Sequence, residues 1–282
     1  MNEVENIEVK LLFDAIYERY GHDFRDYAEA SIKRRIRHFI SKNPEHFYSK
    51  EGRISQLIPR VLYDEELYGR LQETFSVSVS ELFRDPLFFK SIRENVIPYL
   101  KAFPHIKVWH AGCASGEEVY SMAILLEEEG LYDRSTIYAT DFSRKALDEA
   151  EKGIYKLDSG ITFSKNYQKT GGENSLVDFC EIQGDFLTMD KRLRRNITFT
   201  EHNLVHDQSF GEMQLILCRN VLIYFNKNLQ NRVINLFNES LSNNGFLALG
   251  SKESIRFTNY TNVLPVFDNK WKIYRKSKYG QK

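Results

Sequence analysis

Gly112-Cys113-Ala114-Ser115-Gly116 lies between a strand-like run and an apolar helix, and Glu117 and Glu118 open that helix. Glycines let a backbone pass close to a ligand, and a helix N-terminus turns free N–H groups toward it. The spacing is not the G-x-G-x-x-G that seats a pyrophosphate, which disfavours a dinucleotide. Two carboxylates at the helix start repel a phosphate and suit a cation; they also complement the helix dipole with no ligand at all. Asp141 stands 25 residues after Gly116, where a second strand-like run stops. An acid there can accept hydrogen bonds from ribose hydroxyls, or cap the helix that starts at Ser143. Asn203 and Arg219-Asn220 follow two more strand-like runs, so polar residues gather at one edge of a sheet. Cys113, Cys180 and Cys218 form no C-x-x-C pair, so a zinc ribbon or a disulfide framework has no support; they read as small thiols in a reducing compartment.

Periodicity supplies the elements that must hold these residues. Strands are expected over 106–111, 136–140, 197–201, 214–218 and 246–250, with a closing strand pair at 263–267 and 271–275. Helices are expected over 119–126, 143–152 and 229–241. Alternating strands and helices imply an α/β fold, a Rossmann-like doubly wound parallel sheet with an antiparallel edge strand. Ligands bind such sheets at the carboxyl edge of the strands. Between 155 and 196 the rhythm breaks, around Gly171-Gly172 and Gly184-Asp185. A structureless loop that long is improbable, so this stretch is expected to be a small inserted antiparallel β subdomain.

Residues 1–72 read as an all-α domain: Leu11, Leu12, Ala15, Ile16 and Tyr20 share one helical face, as do Ile32, Ile36, Phe39 and Ile40. Residues 73–89 read as an extended linker into a new helix, and 90–282 as the α/β domain.

Arg84-Asp85-Pro86, the run from Trp109 to Glu118, Ala139-Thr140-Asp141, Asn203-Leu204 and the run from Cys218 to Phe225 occur in this order. Together they resemble the CheR family, the S-adenosylmethionine-dependent chemoreceptor glutamate methyltransferases, over essentially the whole chain. The resemblance implies a class I methyltransferase fold and a cofactor site. Ala111, Gly112, Glu118 and Arg84 would surround the methionine part, with Glu118 near its ammonium. Asp141 would hold the ribose, Asn203 and Leu204 would contact the adenine, and Arg219 and Asn220 would complete the pocket. Ser78 and Ser80 stand where the family often has Asn and Thr, Leu82 where it has Phe, and His110 and Val119 where Ser and Pro are commoner. The product would be a glutamate methyl ester and S-adenosylhomocysteine, and no metal is implied.

A glutamate with a pKa near ~4.3 is already an anion at neutral pH, so no general base is needed. Such an enzyme must align the partners and strip water from the carboxylate. Arg84 by charge and Tyr224 by its hydroxyl are the catalytic candidates, and the resemblance supports both. Lys33, Arg34, Arg35, Arg37 and Lys42 fall within 31–42 with no acid among them. On a helical wheel they lie opposite the apolar face, either as a solvated surface or as a docking face for an acidic partner. The resemblance favours docking to a receptor's methylated helices by Lys33, Arg34 and Arg37. No aromatics are interleaved for stacking on bases, which disfavours nucleic acid.

In the full chain of 282 residues, 39 Lys and Arg balance 39 Asp and Glu, which excludes a uniformly basic coat or an acidic tail protein. The balance hides an uneven distribution, with ten acids against three bases over 117–151. No apolar run approaches the ~18 residues of a membrane span, and the N-terminus lacks a signal-peptide core. The expectation is a cytoplasmic monomer that acts on the cytoplasmic region of a chemoreceptor or a similar glutamate-rich helical protein.

Overall fold

The computed structural model describes residues 3–47, 53–75, 80–157 and 160–277. The chain divides into two units, Met1–Val77 with Ile223–Gln230, and Ser78–Leu222 with Asn231–Lys282.

In the first unit α1 (Glu3–Tyr20), α2 (Glu29–Lys42), α3 (Leu57–Tyr63) and α4 (Glu65–Phe75) pack their apolar faces together. Helix α1 buries Val9, Leu12, Phe13 and Ile16; α2 buries Ile32, Ile36, Phe39 and Ile40. Asn43, just before Pro44, ends α2 and donates its side-chain amide to the Phe39 carbonyl at 2.8 Å. Segment 223–230 joins this unit through main-chain bonds, Ala28 N–H to the Tyr224 carbonyl at 2.7 Å and Asn226 N–H to the Asp26 carbonyl at 2.9 Å. The expected helical domain, 1–72, did not include that segment. Pairing between residues some 200 positions apart leaves no local periodicity to read.

The second unit starts with α5 (Pro86–Ser91), a π turn (Ile92–Val96) and α6 (Ile97–Leu100). Then follow β1 (Ile106–Ala111), α7 (Glu117–Glu128), β2 (Ser135–Asp141), α8 (Arg144–Lys152), β3 (Ile154–Lys156), α9 (Gly160–Gln168), β4 (Cys180–Gln183), β5 (Phe186–Met189), β6 (Ile197–Glu201) and β7 (Met213–Cys218). Helix α10 (Lys227–Ser240), β8 (Leu241–Leu249), β9 (Val266–Asp268) and β10 (Ile273–Arg275) complete the chain. The main sheet has the order β6-β2-β1-β7-β8-β10-β9, and β3-β5-β4 form a separate antiparallel sheet. The first five strands of the main sheet are mutually parallel. Strand β10 runs antiparallel to both β8 and β9, so the antiparallel strand lies one in from the edge.

All six residues of β7 are buried, as are Val108, Trp109, His110 and Ala111 of β1. Continuous burial marks central strands covered on both faces. Register then decides where the site lies. Ala111 is opposite Thr140, Asp141 opposite Glu201, and Cys218 opposite Leu249. The carboxyl ends of β1, β2, β6, β7 and β8 therefore align. Order reverses at β1, since β2 lies on one side of it and β7 on the other, which makes this edge the topological switch point.

Candidate active site at the carboxyl edge of the sheet

The turn after β1 is tied to β2, because Gly112 N–H and Cys113 N–H both donate to the Thr140 carbonyl, at 2.8 and 2.9 Å. Gly112 takes φ +82°, and a Cβ there would come within 2.6 Å of Val221 Cγ2. Glycine thus meets both the backbone angle and the tight approach.

Asp141 is 6 % exposed. Its Oδ2 accepts Ala114 N–H at 3.0 Å and its Oδ1 accepts Ser143 N–H at 2.9 Å. Burial raises its pKa against these N–H bonds. Helix α8 is capped by Ser143, whose hydroxyl accepts Ala146 N–H at 3.3 Å. Asp141 instead joins the β1 turn to the end of β2. The Phe142 N–H bonds this carboxylate as well, and of the roughly four lone-pair sites of a carboxylate one is left for a ribose hydroxyl.

The two glutamates that open α7 have opposite surroundings. Glu118 meets His110 Nδ1 at 3.1 Å and accepts from Arg219 at 2.9 Å. Burial works to raise its pKa, but the His110 hydrogen bond and the Arg219 charge outweigh it, and the carboxyl lies below its ordinary value. Arg219, its side chain 2 % exposed, also donates to Asp85 at 2.6 Å, and its guanidinium lies 4.0 Å from the centre of the Phe88 ring.

Glu117 is 6 % exposed and accepts from the Ser115 hydroxyl at 2.8 Å. Ser80 also hydrogen-bonds this carboxylate. Burial pushes its pKa up, and the two hydroxyls offset that only in part. Among the described residues no basic group pairs with Glu117. The resemblance puts the ammonium at Glu118, which pairs with Arg219 here, whereas among the described residues Glu117 has hydroxyl partners and no cation. Sequence spacing could not separate two adjacent acids; only the direction of each side chain off the first turn of α7 does so.

Ala111 is buried at the end of β1. Leu204 is buried, and Asn203 Oδ1 accepts Val205 N–H at 2.9 Å, which shapes the loop after β6. Asn220 takes φ +63° directly after Arg219. Arg84 is exposed on a turn in which Phe83 and Asp85 both have positive φ, and Phe83 N–H donates to the Ser121 hydroxyl at 2.8 Å. Left-handed backbone at a bulky residue is costly and persists only where surroundings enforce it. Ser78 lies outside the described residues. Tyr224 belongs to the helical unit, half-buried, with the Arg35 guanidinium 4.5 Å from its ring centre.

Asp85, His110, Phe88 and Ser121 had no assigned role in the sequence, and Glu117 was read only together with Glu118, as a pair suited to a cation or to the helix dipole. Asp85, His110 and Glu117 sit within the matched motifs. Their partners come from other elements and were invisible there.

The expected basic face of α2 is corrected in two places. Lys33 is buried and bonded to Asn6 and Glu29, and Arg35 is buried and donates to the Thr74 and Phe75 carbonyls at the end of α4. Arg37 is exposed but holds Glu5 through two bonds of 2.6 Å, while Arg34 is exposed. The wheel treats every long cation as outward, but Lys and Arg stems can lie along apolar surface while their heads find partners.

The donor set fits S-adenosylmethionine. A buried carboxylate that no basic group pairs with among the described residues suits the cofactor's cationic methionine end, and Asp141 keeps acceptor capacity for a ribose hydroxyl. Among the described residues no group of His, Cys, Asp and Glu could hold a metal ion, and no helix is long and apolar enough to cross a membrane.

Comparison with known proteins agrees. Residues 78–273 match the family described as CheR methyltransferase, SAM binding domain, and residues 7–43 match CheR methyltransferase, all-alpha domain. A Pseudomonas putida protein named "Putative methyltransferase Cher3" is 47% identical over 96% of this chain and 97% of its own length. The chemotaxis protein methyltransferase of Listeria monocytogenes is 30% identical over 87% of this chain and 89% of its own. That of Borreliella burgdorferi is 28% identical over 88% of each. The chain belongs to the CheR methyltransferase family and is an S-adenosylmethionine-dependent methyltransferase of that type.

Proposed function

We propose that the acceptor is a glutamate side chain in the cytoplasmic region of a chemoreceptor, and that the product is a glutamate methyl ester. Arg84 carries this reading: an exposed guanidinium on a turn enforced by Ser121, whose neighbour Asp85 is committed to Arg219. An arginine in that setting can draw an anionic side chain to the edge of the sheet. The names of the Listeria and Borreliella relatives support a chemotaxis substrate.

When bound, S-adenosylmethionine supplies a methyl group from its sulfonium and leaves as S-adenosylhomocysteine. Glu117, with Ser80 and Ser115 around it, compensates the charge at the methionine end. Ala111 and Gly112 line that end, and Glu118 holds Arg219 in place. Asp141 accepts from the ribose, Asn203 and Leu204 flank the adenine, and Asn220 closes the pocket. Arg84 steers the acceptor carboxylate and Tyr224 orients it through its hydroxyl. The acceptor is ionised at neutral pH, so no residue has to remove a proton from it. His110, bonded to Glu118, is not needed as a base. Arg34 is the exposed member of α2 best suited to meet an acidic helical substrate. The protein would act in the cytoplasm.

The test is transfer of tritiated methyl to a receptor cytoplasmic fragment, with the label released by base. Arg84→Ala should abolish transfer while the protein stays folded. Full activity in that variant overturns the assignment of Arg84. A second reading is a protein acceptor outside chemotaxis, favoured by the Pseudomonas relative, whose name specifies a methyltransferase without chemotaxis. Transfer to a different protein and none to receptor fragments would select it.

A further inference from the structure

Glu253 is a buried acid that the reaction does not use. It is 4 % exposed and lies in the loop after β8. Its Oε2 accepts two backbone N–H groups, Asn220 at 2.9 Å and Gly250 at 2.6 Å. Its own N–H donates to the Gly250 carbonyl at 2.9 Å, which closes the turn around it.

These bonds join the carboxyl ends of two neighbouring strands. Gly250 directly follows β8, and Asn220 follows β7 by two residues. The approach is tight: a Cβ at position 250 would lie 2.7 Å from Glu253 Oε2 and 2.9 Å from Asn220 N. Asn220 is held at φ +63°, a region that non-glycine residues enter at a cost. Two N–H groups share this one buried acceptor, and both would be left unpaired without it. One carboxylate oxygen can therefore keep the Asn220 peptide in an orientation it would not hold alone.

We propose that Glu253 is a positioning residue for the cofactor site, which fixes the Asn220 peptide and thereby the Arg219-Asn220 corner of the pocket. The proposal rests on the reading that Asn220 lines the cofactor site. It predicts that Glu253 sets cofactor affinity without touching the cofactor or the protein substrate.

The experiment compares E253A, E253Q, E253D and N220A by calorimetric binding of S-adenosylhomocysteine and by steady-state kinetics. E253A should weaken S-adenosylhomocysteine roughly tenfold or more, the scale of leaving a buried N–H without its acceptor. E253Q keeps an acceptor oxygen at the same reach and should stay within about threefold of the natural protein. E253D, one methylene shorter, should behave like E253A, and it carries the test if E253A does not fold. KM for the cofactor should rise while KM for the protein acceptor stays put, the split that marks lost cofactor binding. Natural affinity in folded E253A or E253D, together with weakened N220A, overturns the role of Glu253. Natural affinity in N220A, where alanine also disfavours the positive φ, overturns the reading of Asn220 and the proposal with it.

Discussion

The helical unit and the sheet unit use arginine differently. On α2, Arg37 reaches out to Glu5 with its side chain 67% exposed. At the end of β7, Arg219 holds Glu118 and Asp85 with its side chain 2% exposed. Water already solvates the first pair, so closing it gains little. The second network has given up most of its hydration, and each member depends on the others. Similar bond lengths therefore stand for different energetics, and burial decides which. The sheet unit adds a third case, Glu117, which is buried with hydroxyl partners but, among the described residues, no cation. A buried charge with no counter-charge is costly unless a ligand brings one.

Removing Arg219 should break this contrast most severely. Arg219→Met strands Glu118 and Asp85 and should cost about 3–5 kcal/mol in urea unfolding. A cost as small as that of a surface pair would mean the network is not energetically distinct.

Glu117→Gln should act next, and with opposite signs on folding and binding. Burial holds the folded pKa of Glu117 above the ordinary glutamate value, so the folded protein keeps a proton that the unfolded chain has released. Stability from this group therefore falls as pH rises from the unfolded pKa through the folded one. E117Q should remove that decline and leave the ligand-free protein at least as stable at neutral pH. It should also weaken S-adenosylmethionine by roughly tenfold or more, if a charge-assisted contact is lost. In the natural protein, affinity should strengthen with rising pH across the same window, because the cation favours ionised Glu117. Unchanged affinity in E117Q would return the ammonium partner to Glu118.

The smallest effects belong to α2. Arg37→Ala should change the urea midpoint little, and less at high salt, because the guanidinium is solvated in either state. Arg34→Glu should shift stability by no more than about 0.5 kcal/mol, yet lower turnover on an acidic protein substrate with cofactor affinity unchanged. Equal loss of both would count against docking through this helix.

Much of the sheet was legible because buried parallel strands announce themselves. The apolar runs at 106–111 and 214–218 end within a residue of β1 and β7, and the alternating run at 197–201 coincides with β6, an edge strand with no buried residue. The polar residues that follow were placed at one edge by alternation alone, and Asp141 stands there as expected. Less of the electrostatics was legible. Lys33 and Arg35 looked like surface charge until Asn6, Glu29 and the carbonyls at the end of α4 were brought to them. The acids over 117–151 looked like one field, but they divide into Glu118, neutralised by Arg219, and Glu117, which is not. Segment 223–230 continued a family motif in sequence and joined the helical unit in space.

The sequence by itself determined the order of elements, the carboxyl-edge location of the site and the family, because periodicity and contiguous motifs are local properties of a chain. Only the tertiary structure decided which acid has a cation, which base is buried, and that Glu253 reaches Asn220 from 33 residues away. Charge pairing depends on distance and burial. Those are set when distant elements pack together, and nothing in residue spacing encodes them.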